Sequence, residues 1–128
     1  MKIEHLAIWV TDLERTRNFY ERYFGAIAGA KYHNPTKKFS SYFLSFKEGA
    51  RLELMQKPDI PGMTDALQEY LGLSHFAVAT GSKEKVDALT EELRTDGYLV
   101  VGEPRTTGDG YYESVVLDPE QNRIEITI

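Results

Sequence analysis

Residues 5–26 read HLAIWVTDLERTRNFYERYFGA and residues 75–98 read HFAVATGSKEKVDALTEELRTDGY. Each begins with a short apolar run led by a histidine, passes through a polar turn, and enters a stretch of helical periodicity that ends at a glycine. In the first, Thr11 and Glu14 have capping-box spacing. Leu13, Thr16, Phe19, Tyr20, Tyr23 and Phe24 then recur at helical spacing up to Gly25. In the second, Ser82 can cap, Val86, Leu89 and Leu93 form the stripe, and Gly97 ends it.

After each helix the period changes to that of strands. The expected strands are 26–33, 39–47 and 50–56 in the first copy and 98–104, 111–117 and 123–128 in the second. The turn-forming stretches HNPTKK, KEGA, RTTGDG and DPEQN separate them. Each copy therefore reads βαβββ, and the chain is a duplicated α+β domain over 1–128. Its first module covers 1–57, a connector 58–72 and its second module 73–128. The connector carries two prolines and two glycines, with a short helix expected around residues 65–70.

Composition narrows the function. At 128 residues the chain holds one domain's worth of core, and 41% hydrophobic with 27% charged residues is ordinary for a globular protein. A formal charge of −5 without a basic cluster argues against a nucleic-acid partner. The absence of cysteine removes disulfides, thiolate metal sites and thiol nucleophiles. Glu4 and His5 fall where a signal peptide needs its apolar centre, and no apolar run reaches membrane-spanning length. The expectation is a cytoplasmic protein with no membrane partner.

Polar residues repeat in register as well. ARLELMQ (50–56) and NRIEITI (122–128) each hold one glutamate in an apolar strand. His5 precedes Glu53 by 48 residues and His75 precedes Glu125 by 50. Strand alternation puts Leu6, Ile8 and Val10, with Leu52 and Leu54, on one face, and His5, Ala7, Trp9 and Glu53 on the other. The second copy sets Phe76, Val78, Ile124 and Ile126 against His75, Ala77 and Glu125. The aliphatic faces are expected to pack on the helices, leaving the His–Glu pairs on concave faces where Ala7 and Ala77 leave room. An unpartnered buried carboxylate is costly. Two imidazoles and two carboxylates instead suit a divalent metal, with His5, Glu53, His75 and Glu125 as ligands to Ni, Zn or Co, or to Mn or Fe(II). His33, in YHNP, is not repeated and reads as solvated. In GDGYYES, Gly108 and Gly110 mark a hairpin, and either Tyr111 with Glu113, or Tyr112, can face inward.

Paired βαβββ modules with a histidine in each first strand and a glutamate in each last strand resemble the vicinal oxygen chelate superfamily. HLAIWVTDLERTRNFYERYFG and YYESVVLDPEQNRIEI carry the resemblance most specifically, and it covers essentially the whole chain. It implies a glyoxalase-like curved mixed sheet, a half-barrel with its helices outside, and a homodimer. By position the four residues match the metal set of glyoxalase I. The implied activity is that of a glyoxalase I-type (lactoylglutathione lyase-like) lyase or isomerase acting on a small-molecule hemithioacetal, with Glu125 as the catalytic base. Other branches imply an epimerase, a dioxygenase or a resistance thiol transferase, and a binding or sequestering protein is a further alternative. Trp9 and Lys57 replace an arginine and an asparagine of bacterial glyoxalase I, the arginine being one that helps hold glutathione. Trp9, Tyr111 and Tyr112 are the expected substrate contacts.

Overall fold

The computed structural model describes residues 1–62 and 64–128, in two units, Met1–Gly62 and Met63–Ile128. In the first, β1 (His5–Trp9) leads into α1 (Leu13–Phe24), followed by β2 (Ile27–Ala28), β3 (Tyr32–Asn34), β4 (Phe39–Ser45) and β5 (Arg51–Gln56). The second unit contains β6 (Phe76–Ala79), α2 (Lys83–Thr95), β7 (Val100–Thr106), β8 (Tyr112–Leu117) and β9 (Arg123–Thr127).

Each unit has its own open mixed sheet. The orders are β1-β5-β4-β2, with β3 also on β4, and β6-β9-β8-β7. In both, the first and last strands run parallel and the remaining pairs antiparallel. The α+β class and the duplicated topology are those expected, with one change. The strand expected over 26–33 is broken at residues 29–31, so β2 and β3 pair with different parts of β4.

The aliphatic faces meet the helices as the alternation requires. In the first unit α1 packs on β4 and β5, burying Leu13, Phe19 and Tyr20 with Leu44, Leu52 and Leu54. In the second, α2 packs on β8, β7 and β9, burying Val86 and Leu93 with Val116, Ile124 and Ile126. Each such aliphatic side chain contributes roughly 1.5–3 kcal/mol on leaving water. Thr90 also lies in this core, its hydroxyl bonding the Val86 carbonyl and the Ser114 hydroxyl, each at 2.6 Å. That hydroxyl pair fixes the register of α2 on β8 without leaving a buried polar atom unsatisfied.

Two local expectations are corrected. The N-cap of α1 is Asp12, not Thr11: the Asp12 carboxylate accepts from the Arg15 N–H at 2.9 Å, so the helix starts one residue later. Glu14 reaches sideways to Lys31 and Tyr42 instead of back to the cap. The helix expected at 65–70 is absent. The Asp65 carboxylate takes the Leu67 N–H at 2.8 Å, an Asx-type turn that competes with helix. Arg123 then binds the carbonyls of Ala66 and Leu67. No helix among the described residues is long and apolar enough to cross a membrane.

Candidate metal centre

The strand register repeats residue for residue around the two glutamates. Glu53 lies opposite Ala7 on β1 and Phe43 on β4. Glu125 lies opposite Ala77 on β6 and Val115 on β8. In each unit the histidine stands two residues before that alanine, at the start of β1 or just ahead of β6, and so shares the glutamate's face.

Geometry follows from register. His5 Nε2 lies 3.9 Å from Glu53 Oε2, and His75 Nε2 lies 3.1 Å from Glu125 Oε2. The two carboxylates are largely buried, with 15% and 17% of their side-chain surfaces exposed, whereas both imidazoles are more open. Each glutamate thus sits on the sheet floor with a histidine beside it. Metal bonds to nitrogen or oxygen are about 2.0–2.2 Å, so two ligands of one ion lie at most about 4.4 Å apart. Both separations fall inside that span, and each imidazole with its carboxylate is a suitable N,O donor pair. Among the described residues no group of three or more His, Asp or Glu is assembled to hold an ion.

Neighbouring residues orient the pairs. His5 Nδ1 lies 2.5 Å from Glu4 Oε2, which leaves Nε2 as the nitrogen turned to Glu53. The His5 hydrogen bond and then the Arg51 guanidinium hold the Glu4 carboxyl below its usual range, in the way an outer carboxylate fixes a ligating imidazole. The ring of Phe43 meets His5 edge-on at 5.3 Å. On the other unit, His75 Nδ1 is 3.4 Å from the Ser74 hydroxyl.

Glu113 shares the Glu125 face. Burial first, and then the adjacent Glu125 carboxylate, raise its carboxyl above the usual range. Arg105 on β7 stands directly opposite Glu113. Of the two inward possibilities for GDGYYES, the structure takes the one that turns Glu113 inward. Tyr112 points to the helix side instead: its hydroxyl donates to Asp87 on α2 at 2.7 Å and Lys83 lies over its ring. Tyr111 precedes β8 and is exposed, with its backbone bonded to Thr107. Trp9 lies on the His5 face and packs edge-on against Phe39. His33 is exposed as expected, although in β3 and bonded to Ser40.

Phe39, Phe43 and Arg105 were not evident from the sequence. FSSYFLSF carries aromatic residues on both faces, so alternation alone does not say which ring lies beside Glu53. Only the pairing of Phe43 with Glu53 decides it.

Known proteins resemble this chain over nearly its whole length. A curated Bacillus subtilis (strain 168) relative, the uncharacterized protein YqjT, is 28% identical over 97% of this chain and 96% of its own. The Arabidopsis thaliana protein named lactoylglutathione lyase GLX1 is 30% identical over 95% of this chain, which spans only 42% of that protein. The crystal structure of glyoxalase I from Zea mays superposes with a TM-score of 0.79 at 25% identity, over 98% of this chain and 44% of that one. Residues 2–126 match the Glyoxalase/Bleomycin resistance protein/Dioxygenase superfamily, and the chain belongs to it.

Proposed function

We propose that this protein is a metal-dependent lyase or isomerase of the glyoxalase I type, working as a homodimer on a hemithioacetal formed from a small 2-oxoaldehyde and a thiol. The observation that carries this reading is the matched register of the two His–Glu pairs, Ala7 opposite Glu53 and Ala77 opposite Glu125. His5, Glu53, His75 and Glu125 are the residues that would hold a divalent ion, Ni, Zn or Co, or else Mn or Fe(II). When bound, the ion supplies Lewis acidity at two adjacent substrate oxygens.

The residues do the rest. Glu125 takes the proton from the carbon beside the carbonyl and returns it to the neighbouring carbon, so the reaction is an isomerisation with no net gain or loss of atoms. Its low exposure keeps bulk water from competing for that proton. Glu53, between Ala7 and the Phe43 ring, is the firmer ligand. Trp9 replaces a guanidinium with an indole, which favours a thiol other than glutathione. The name of the Arabidopsis relative supports the reaction class, while the limited coverage of that protein leaves the substrate to experiment.

The test is elemental analysis of the purified chain after loading with Ni, Co or Zn, followed by turnover of methylglyoxal with a panel of thiols. One ion per four-residue set, with turnover that a chelator removes, is expected. An unloadable protein whose melting temperature ignores the metal would overturn the proposal.

A further inference from the structure

The sheet face that carries His5 and Glu53 continues into a row of aromatic rings. Trp9 lies four residues along β1 from His5, about 13 Å at strand rise. Its ring meets Phe39 edge-on at 6.2 Å, and Phe39 lies 6.0 Å from Tyr32. Strand pairing supplies the floor: Trp9 is opposite Met55, Met55 opposite Ser41, and Ser41 opposite Tyr32. A thioether and a small buried serine therefore separate the outer rings. Trp9 keeps 39% and Tyr32 54% of its surface exposed, apolar area whose clustering is the mark of a binding surface.

Charge completes the row at its far end. Lys57 Nζ stands 5.0 Å from the Trp9 ring centre, and among the described residues no carboxylate pairs with it. At the near end Arg51 lies over Phe43 and is already paired with Glu4. The duplicate provides a control. In the second unit the positions of Trp9 and Tyr32 are held by Ala79, opposite Thr127, and by Arg105, opposite Glu113. The same topology forms there without the rings, so the fold does not require them.

We propose that Trp9, Phe39 and Tyr32 form a subsite for a planar aromatic group bearing an anionic substituent, with Lys57 as its counter-charge. The thiol part of the hemithioacetal is then an aryl-substituted acid, placed so that the reactive end reaches His5 and Glu53. That orientation rests on the metalloenzyme reading above; the subsite itself does not. Stacking on indole and phenol faces selects flat rings over aliphatic ones, and the ammonium favours an acid over its neutral analogue.

Trp9 is the chain's one tryptophan, so its indole N–H gives one resonance that reports on this row. The probes are 2-naphthoate, 2-naphthylmethanol and cyclohexanecarboxylate, titrated by calorimetry and by nitrogen–proton NMR. 2-Naphthoate is expected to bind saturably at one per chain and to shift the Trp9 indole resonance. Trp9→Ala and Phe39→Ala should each weaken it by about tenfold or more, while Trp9→Phe keeps most of the affinity. 2-Naphthylmethanol should bind more weakly than the acid, and Lys57→Gln should close that gap. His5→Ala and Glu53→Gln should leave naphthoate binding intact, so a failed metal reading shows in metal content and a failed subsite shows in calorimetry. No saturable binding, equal binding of cyclohexanecarboxylate, or full affinity in both Trp9→Ala and Phe39→Ala would overturn the proposal. So would light scattering in which Trp9→Ala halves the mass of a wild type that binds no naphthoate, because the rings would then be an interface between copies.

Discussion

Glu53 and Glu125 each face an alanine in the same register, yet their other neighbours differ. Glu53 has Phe43 opposite it, whereas Glu125 has Val115 opposite and the Glu113 carboxyl close enough that Glu125 raises that acid's pKa. If the pairs divide the work, Glu125→Gln should keep the fold and most metal affinity while turnover falls by roughly 10²–10⁴, as for loss of a general base. Glu53→Gln should lose metal affinity first and recover activity at high metal. Both variants assayed with metal saturated provide the check, and equal loss in both would refute the division. A second residue-scale outcome concerns Glu14. Lys31 at 3.0 Å, and then the Tyr42 hydroxyl at 3.1 Å, hold its carboxyl below the usual 4.5. A depressed carboxylate stabilises the fold above its unfolded pKa, and that contribution fades as pH drops below 4.5 through the folded value. Glu14 is half exposed, so the effect is small, about 0–1 kcal/mol. Denaturant melts of wild type and Glu14→Gln should differ at pH 7 and converge toward pH 3.

Among the elements, the start of α1 separates two neighbouring residues that sequence alone could not. Asp12 makes the cap hydrogen bond to Arg15 N–H, so Asp12→Ala should cost about 0.5–2 kcal/mol. Thr11→Ala should cost less at this cap, since the bond to the Arg15 N–H comes from Asp12. Thermal melts of the two variants decide it, and equal losses would return the cap to Thr11. Both residues are good caps, and pattern cannot resolve one position. The same limit explains the connector, where Asp65 closes a turn and Arg123, distant in sequence, holds the carbonyls of Ala66 and Leu67. What could be read was what repeats: both helices, the βαβββ order of elements, and a histidine and glutamate on one face of each sheet. What could not be read was set by cross-strand partners, including the ring beside Glu53 and the outward turn of Tyr112 to Asp87.

For the whole molecule the open sheets carry the consequence. In the pairing order β1 and β7 are outer strands, as is β6. β7 is blunted by Pro104 and by irregular pairing around Gly102, where an added Cβ would meet Val115 at 3.2 Å. These features protect an edge from further pairing. HLAIW and FAVA, the sequences of β1 and β6, contain neither proline nor an acidic or basic side chain beyond His5. Open edges without such guards invite further strand pairing, which supports the homodimer proposed above. Association of folded chains stabilises by mass action, so the melting temperature should rise with protein concentration. Light scattering at micromolar concentration should give twice the mass of the 128-residue chain. A monomer at that concentration, carrying its full complement of metal and melting independently of concentration, would show that the site needs no second copy.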